Sequence, residues 1–221
     1  MKNTDIKIAP SILSADFAKM GEEVSALKKI GADIVHCDVM DGVFVPNISF
    51  GIKMVADIRK HTDLPLDCHL MIVHPEKYVE RFAKAGADYI TVHYETCLED
   101  TENVLALIKK QGVKCGVVIN PDTPAVKIKD IIPLCDMVLI MSVFPGFGGQ
   151  KFIESTLESV RYVRDIVDKL DKDILIEIDG GINEETAKAA RQAGVNVLVA
   201  GSAVFSSDDK ALTIKKLRGA V

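Results

Sequence analysis

The sequence lacks the features that mark several large protein classes. It has no run of about 18 apolar residues, which a membrane-spanning helix needs. Residues 1–5 are polar, so we expect no secretory signal peptide. The formal net charge is −5, which leaves no broad cationic surface for nucleic acid. Neither a membrane nor a nucleic acid is therefore expected as a partner.

Paired cysteines are also missing. The chain has five cysteines, an odd number, and no C-x-x-C motif. Four of them lie in or beside apolar runs, which predicts buried free thiols in a reducing cytoplasm. The five are Cys37, Cys68, Cys97, Cys115 and Cys135.

The apolar pattern that is present alternates between two periods. Phe17, Met20, Val24, Leu27 and Ile30 are spaced three or four residues apart, as on one face of a helix. Gly31 follows this pattern and precedes a short apolar run that predicts a buried strand. The same order of helix, glycine and strand recurs at Gly86, Gly112 and Gly194. Pro75 and Asn183 are typical first-turn and N-cap residues of two of these helices.

Eight strands alternate with helical patterns, and the helix expected around Ala125 to Ile132 has the weakest pattern. Such alternation predicts a parallel sheet. The G-x-G-x-x-G motif of open dinucleotide-binding sheets is absent. Eight units in 221 residues therefore predict a single (β/α)8 barrel domain spanning residues 1–221. The expected strands are Ile6–Pro10, Asp33–Val39, Leu66–Met71, Tyr89–Tyr94, Lys114–Asn120, Met137–Val143, Ile174–Asp179 and Val197–Gly201.

Polar residues collect at the carboxyl end of every predicted strand. In barrels of this type, catalytic groups converge at that end. A single strand-end polar residue is usually structural, but eight strands ending this way favour a functional site. The residues are Ser11, His36 with Asp38, His69, His93 with Glu95, Asn120, Ser142, Asp179, and Gly201 with Ser202.

His36, Asp38, His69 and Asp179 form a candidate metal-ligand set. His36 and Asp38 are two apart on one strand and share a face. A mixed nitrogen and oxygen set suits Zn²⁺, Fe²⁺, Mn²⁺ or Co²⁺ better than Ca²⁺. The spacing fits equally well an alternative in which both histidines are packed imidazoles bonded to carboxylates. Asp67 shares the parity of His69 and could support either arrangement.

Two of these carboxylates suggest a reaction. Asp38 and Asp179 come from strands two and seven, so they reach a bound molecule from different sides of the barrel. Inverting a carbon requires a proton to leave one face and another to return on the opposite face. A base and an acid placed in this way can do so beside a carbonyl group, with a metal stabilising the enediolate. Met40, Met71 and Met141 also lie near strand ends, where core filling is their ordinary role.

Three glycine-rich turns indicate a phosphorylated ligand. The loop after strand six contains Gly146, Phe147, Gly148 and Gly149. Glycines after strands seven and eight let a phosphate approach backbone N–H groups, in the usual phosphate site of such barrels. These are Gly180 and Gly181 after strand seven, and Gly201 with Ser202 after strand eight.

Several long motifs closely resemble the ribulose-phosphate 3-epimerase family, over about Ile8 to Phe205. They span residues 9–16 (APSILSAD), 36–47 (HCDVMDGVFVPN), 66–71 (LDCHLM), 141–150 (MSVFPGFGGQ), 177–182 (EIDGGI) and 200–202 (AGS). One departure is Phe144, where the family often has a polar residue before Pro-Gly.

The resemblance implies a barrel of the ribulose-phosphate-binding type that holds one divalent metal and interconverts D-ribulose 5-phosphate and D-xylulose 5-phosphate in the pentose phosphate pathway. It implies that His36, Asp38, His69 and Asp179 bind the metal and that Asp38 and Asp179 act as acid and base. A homo-oligomer is also expected. Implied substrate contacts are Ser11, His69, Gly146, Phe147, Gly148, Gly149, Asp179, Gly180, Gly181, Gly201 and Ser202, with Met40, Met71 and Met141 packed against the enediolate.

Three other functions stay open at this point. A D-allulose 6-phosphate 3-epimerase would use the same chemistry on a longer sugar. A metal-free phosphosugar lyase or decarboxylase would use the same barrel, although the Asp-x-Lys-x-x-Asp pattern of related decarboxylases is absent here. A non-catalytic phosphosugar-binding barrel would not need Asp38 as a proton carrier.

Overall fold

The computed structural model describes residues 5–220, and within them eight parallel strands form one sheet. All eight predicted strands are present, each beginning or ending within a few residues of its expected bounds. Their order in the sheet is β1-β8-β7-β6-β5-β4-β3-β2. The strands are β1 Lys7–Ala9, β2 Val35–Met40, β3 Leu66–Met71, β4 Tyr89–His93, β5 Lys114–Ile119, β6 Met137–Met141, β7 Leu175–Asp179 and β8 Val197–Val199.

The sheet closes on itself between its first and last members, β1 and β2. A parallel bridge joins Ser11 to His36, and the His36 N–H donates to the Pro10 carbonyl at 3.1 Å. The Asp33 N–H donates to the Ile8 carbonyl at 2.9 Å. These bonds complete the ring, so the predicted (β/α)8 barrel is confirmed, and a closed ring leaves no exposed sheet edge.

Helices cover the outside of the barrel. Their ends follow the expected signals: Gly86 and Gly194 adopt left-handed C-cap conformations, and Asn183 makes a capping box with Thr186. The helices are α1 Met20–Leu27, α2 Ile52–Ile58, α3 Val79–Ala85, α4 Tyr94–Cys97, α5 Thr101–Lys110, α6 Thr156–Val167, α7 Glu184–Ala193, α8 Ser202–Phe205 and α9 Lys210–Arg218.

The prediction of an α-helix after β5 is wrong. Two short 3-10 turns, Ala125–Ile128 and Ile132–Leu134, stand where an α-helix was predicted around Ala125 to Ile132. Pro133 lies in the second turn and cannot donate a backbone hydrogen bond, so an α-helix through this segment could not continue past it with its hydrogen bonds intact. Ala125, Ile128 and Ile132 are nevertheless buried, so the turns cover this side of the barrel as a helix would.

Among the described residues, the apolar core has one large cluster and three smaller ones. The largest lies between the strands and the surrounding helices and includes Val24, Phe82 and Leu198. A smaller cluster that includes Tyr89, Met137, Leu175 and Val197 lies at the amino-terminal ends of the strands. This second cluster forms an apolar floor beneath the polar residues described next. No helix within residues 5–220 is both long and apolar enough to cross a bilayer.

Candidate active site

Strand alternation directs a set of polar side chains into the barrel above the apolar floor. Successive side chains of a strand point to opposite faces, so residues two apart share the interior. Ionisable groups this deeply buried are rare unless they are paired or bind metals. Inward-pointing polar residues that are at most 3% exposed are His36, Asp38, Asp67, His69, Thr91, His93 and Glu177.

The four predicted ligands come together. His36, Asp38, His69 and Asp179 each offer one ligand atom, and these atoms all lie within 4.8 Å of one another. Asp38 Oδ1 is 3.3 Å from His36 Nε2 and 3.1 Å from His69 Nδ1. Asp179 Oδ2 is 3.9 Å from His36 Nε2. Two imidazoles and two carboxylates therefore converge from β2, β3 and β7.

His36 distinguishes a metal site from a packed imidazole. Its Nδ1 lies 2.7 Å from Asp67 Oδ2, which assigns the ring proton to Nδ1. Its Nε2 is buried and has no hydrogen-bond partner. In the neutral ring with its proton on Nδ1, Nε2 keeps a lone pair that no hydrogen-bond donor uses, and a cation among the four ligands would use it. The donor set therefore fits a divalent metal ion.

The electrostatics of the cluster favour added positive charge. Burial by itself lowers the pKa of His36, but Asp38 and Asp67 outweigh burial and raise that pKa well above its usual value. Beneath His36, burial and the nearby Asp67 raise the pKa of Glu177 well above its usual value. Neither Glu177 carboxyl oxygen has a hydrogen-bond partner. The carboxylates around His36 thus attract a cation more strongly than burial repels it.

The two candidate acid–base residues have opposite charge preferences. Burial opposes ionisation of Asp38, but His36 and His69 hold its pKa well below its usual value. Ser11 Oγ also donates to Asp38 Oδ2 at 2.5 Å. Burial, reinforced by the charge of Asp38, raises the pKa of Asp179 to about 7. In the absence of a metal, one carboxyl group is held ionised and the other is close to half protonated at neutral pH.

His69 leads away from the cluster into a chain of hydrogen bonds. Its Nε2 lies 2.8 Å from His93 Nε2, and His93 Nδ1 lies 3.1 Å from Glu95 Oε2. Burial outweighs the hydrogen bond with Glu95 and lowers the pKa of His93 to about 4. The Phe44 ring packs against His93 with 4.7 Å between ring centroids. The His69 and His93 rings are both fully buried and shielded from water.

A cavity opens above Asp38 and Asp179. Its walls bring together the substrate-contact residues expected from the sequence, except that His69 is fully buried beneath it. The lining includes Ser11, Asp38, Met40, Met71, Met141, Gly146, Phe147, Gly148, Gly149, Asp179, Gly180, Gly181, Gly201 and Ser202.

The glycine-rich side of the cavity is held by the backbone. Gly180 has φ +119°, and a Cβ added to it would lie 2.5 Å from the Val143 side chain. Ser142 Oγ donates to the carbonyls of Asp179 and Gly180, which fixes the end of β7. Only glycine fits this turn, because Val143 occupies the space that a Cβ would need.

The loop of residues 145–149 is fixed at both ends and exposed at its tip. Gln150 Nε2 donates to the carbonyls of Phe144 and Phe147, at 2.7 and 2.9 Å. Asn47 Nδ2 donates to the Gly146 carbonyl at 2.8 Å. Phe147 remains 55% exposed at the mouth of the cavity, and Phe144 is exposed as well.

Sequence reasoning missed some members of the site. Ser14 lines the cavity, and its Oγ lies 2.5 Å from where a Gly201 Cβ would be. Ser14 lies beyond the end of β1, so strand-end position gave no signal for it. Glu177 lies on the inner face of β7 two residues before Asp179, and that parity was the available signal.

Comparison with known proteins agrees with this geometry. Residues 7–205 match the ribulose-phosphate 3 epimerase family. A ribulose-phosphate 3-epimerase of Bacillus subtilis is 54% identical over 215 residues, covering 97% of this chain and 99% of that protein. A ribulose-phosphate 3-epimerase of Synechocystis sp. is 49% identical over 215 residues, covering 97% and 94%.

Solved structures of lower identity share the fold. The 3-hexulose-6-phosphate synthase of Salmonella typhimurium superposes with a TM-score of 0.75 at 18% identity, covering 97% of each chain. At that identity, the likeness establishes the barrel and no more. The family match and the identity to its members establish the rest: this chain belongs to the ribulose-phosphate 3-epimerase family.

Proposed function

We propose that this chain is a metal-dependent epimerase that interconverts D-ribulose 5-phosphate and D-xylulose 5-phosphate at carbon 3, in the pentose phosphate pathway. One observation carries the proposal. Asp38 and Asp179, with opposite pKa shifts, meet within 4.8 Å of each other at the base of the glycine-lined cavity. Groups tuned in this way can serve as base and acid in one reaction.

The metal would be held by His36, Asp38, His69 and Asp179. We propose Zn²⁺, Fe²⁺, Mn²⁺ or Co²⁺, because imidazole and carboxylate together suit these ions. When bound, such an ion supplies stabilisation of the negative charge that develops on the substrate oxygens.

Asp38 and Asp179 would carry the protons. An ionised carboxylate on one side of carbon 3 accepts the proton, which is acidic because carbon 2 is a carbonyl. A protonated carboxyl on the other side returns a proton to the opposite face, and the two residues exchange roles in the reverse direction. Each turnover removes one proton from carbon 3 and returns one, so no redox cofactor is needed, and proton exchange with solvent resets the two carboxyl groups before the next turnover in the same direction. We propose that Met40, Met71 and Met141, which line the cavity, pack against the planar enediolate.

The phosphate would lie at the glycine-lined side of the cavity. Gly180, Gly181, Gly201 and Ser202 face the same space as Asp179, and the loop of residues 146–149 closes one wall. Backbone N–H groups in such turns bind anions without a cationic side chain. Ser11, which lines the cavity, would contribute to positioning the sugar, whereas the fully buried His69 would contribute through the metal that it helps to hold.

A coupled assay tests the proposal directly. The purified protein is given D-ribulose 5-phosphate before chelation, after chelation and after add-back of each metal, with D-allulose 6-phosphate as the matched longer sugar. We expect metal-dependent turnover that favours the pentose, with solvent deuterium entering carbon 3. Turnover without carbon 3 exchange would exclude the proton-transfer route, and preference for the hexose would overturn the substrate assignment.

Assembly, domain organisation and location are further parts of the proposal. We propose that residues 1–221 act as one catalytic domain and that the chain forms a homo-oligomer, to be checked by light scattering on the purified protein. Val43 and Ile48, 72% and 75% exposed, are candidates for the interface. All five cysteines are buried free thiols, as predicted, which is compatible with the proposed cytoplasmic location.

A further inference from the structure

The chain of hydrogen bonds behind His69 has a direction that the distances determine. His69 and His93 face each other through their Nε2 atoms at 2.8 Å, and both rings are fully buried. Only one of these two nitrogens can carry a proton when both rings are neutral, because two facing protons or two facing lone pairs repel. The direction therefore depends on the groups at the two ends: Asp38 lies 3.1 Å from His69 Nδ1, and Glu95 lies 3.1 Å from His93 Nδ1.

Glu95 is held as an acceptor. Its Oε1 accepts from the Asn120 N–H at 2.7 Å and from the Thr123 hydroxyl at 2.5 Å. Burial favours the neutral acid, but hydrogen bonds from His93, Asn120 and Thr123 together lower the pKa of Glu95. Oε2 of the resulting carboxylate lies 3.1 Å from His93 Nδ1 and can only accept. His93 therefore donates from Nδ1, which leaves its Nε2 as a lone pair.

The tautomer of His93 determines the tautomer of His69. A lone pair on His93 Nε2 requires a proton on His69 Nε2, and this tautomer leaves His69 Nδ1 bare. We propose that Glu95 and His93 form a positioning relay that fixes the tautomer of His69, so that the Nδ1 lone pair of His69 is presented to the metal. The relay rests on the proposed function for the identity of the ion, and it assigns a role to two residues outside the ligand set.

The relay disfavours the reversed tautomers of His69 and His93. His69 Nδ1 lies 3.1 Å from Asp38 Oδ1, so a proton on Nδ1 could bond to Asp38 and block the lone pair. In that arrangement, His93 would turn a lone pair toward the Glu95 carboxylate, which is repulsive. In the proposed arrangement the His69 Nδ1 lone pair lies beside Asp38, and a bound cation between them would relieve that repulsion. The tautomer of the other histidine ligand, His36, is fixed by direct contact with Asp67. His69 has no carboxylate of its own behind it and reaches Glu95 through one intervening imidazole.

Nitrogen NMR tests the relay without any variant and without turnover. Long-range proton–nitrogen spectra distinguish protonated, bare and metal-bound ring nitrogens in the metal-free and zinc-loaded protein. We expect protons on His69 Nε2 and His93 Nδ1 in the zinc-loaded protein. A proton on His93 Nε2 in that state would overturn the proposal.

A matched pair of variants tests its effect on metal binding. In Glu95→Gln the amide oxygen can still accept from Asn120 and Thr123, but the NH₂ group then faces His93 and favours the reversed tautomers. We expect Zn²⁺ affinity, measured by chelator competition, to fall roughly 10- to 100-fold. Thr123→Val removes one bond to Glu95 but keeps its carboxylate, so its affinity should stay close to wild type. Equal affinities in Glu95→Gln and wild type would refute the relay.

The readouts separate this proposal from the enzymatic one. A protein with the expected tautomers and zinc affinities but no turnover of D-ribulose 5-phosphate would refute the proposed reaction and leave the relay intact. A protein that turns over the substrate while His69 carries its proton on Nδ1 would do the reverse.

Discussion

The two halves of the barrel mouth differ in the chemical groups that form them. The half formed by β2, β3 and β4 consists of side chains: His36, Asp38, His69 and His93 are all at most 3% exposed. The half formed by β6, β7 and β8 consists mostly of glycine backbone, with Asp179 as its one ionisable member lining the cavity. We refer to these as the histidine half and the glycine half.

The difference matches what the proposed function requires each half to hold. A metal ion and a mobile proton need specific atoms at fixed distances, which buried side chains with supporting hydrogen bonds supply. A phosphate needs several N–H donors and room to enter, which glycine turns supply at little steric cost. Asp38 and Asp179 come one from each half, so the proposed reaction takes place where the two halves meet.

Removing the carboxylate that each half contributes should have the largest effect. We expect Asp38→Asn and Asp179→Asn each to lower kcat roughly 10²- to 10⁴-fold, because each loses a proton carrier and a metal ligand. Turnover of D-ribulose 5-phosphate at saturating metal measures the loss. Asp136→Asn is the control, since that residue bonds the Cys115 N–H before β6 begins, at the other end of the barrel. Near-normal turnover in either test variant would remove that residue from the mechanism.

The next largest effect concerns protons displaced by the metal. Because the pKa of Asp179 is raised to about 7 without metal, its carboxyl is mostly protonated at pH 6 and mostly ionised at pH 8. A cation must displace that proton, so binding should release about one more proton per ion at pH 6 than at pH 8. Affinity should accordingly weaken about tenfold for each pH unit below 7, from this group alone.

Calorimetry in buffers of different ionisation enthalpy measures the released protons. Asp179→Asn removes the titrating group from the glycine half and leaves the histidine half unchanged. The difference in proton release between pH 6 and pH 8 should disappear in this variant. If the variant keeps the full difference, the proton belongs to the histidine half instead.

Much of this arrangement could be predicted from the sequence because strand geometry is local. Alternation along β2 places His36 and Asp38 on one face, and the strand ends place His69 and Asp179 at the same rim. The pattern could not decide between a metal site and packed imidazoles. That decision needed the unpartnered Nε2 of His36, which depends on where Asp67 lies in three dimensions.

The relay was beyond sequence reasoning for a related reason. His93 and Glu95 were recognised as strand-end residues, but their contact with His69 depends on the register of β3 and β4, which pairs His69 with Thr91. Register between two strands is a property of the whole barrel. The 3-10 turns at Ala125–Ile128 and Ile132–Leu134 show the opposite failure, where apolar spacing suggested one helix and the chain forms two short turns, the second containing Pro133.

A pair of glycine substitutions sharpens the description of the glycine half. Gly180 and Gly149 both have positive φ, but an added Cβ meets the Val143 backbone nitrogen at 2.9 Å in the first and nothing within 4 Å in the second. We expect Gly149→Ala to cost about 1 kcal/mol from backbone strain and Gly180→Ala about 2 kcal/mol more from the clash. Urea unfolding measures both, and equal losses would show that close packing at Gly180 is not required.

The smallest effect concerns acid stability in the histidine half. The folded pKa of His93 is lowered to about 4, mainly by burial, so between about pH 6.5 and 4 the unfolded state binds the extra proton. Stability from this group is therefore present above pH 6.5 and lost as pH falls toward 4, by at most about 1.4 kcal/mol per pH unit. Asp179 acts in the opposite sense, because its raised pKa favours the folded state as pH falls, so total stability alone is ambiguous.

Subtracting the unfolding free energy of metal-free His93→Gln from that of the metal-free wild type isolates the His93 contribution. The difference should shrink by about 1 kcal/mol between pH 6.5 and 5.5. A difference independent of pH would mean that His93 accepts a proton as readily in the folded barrel as in water, and the ring could not then be the neutral link between His69 and Glu95.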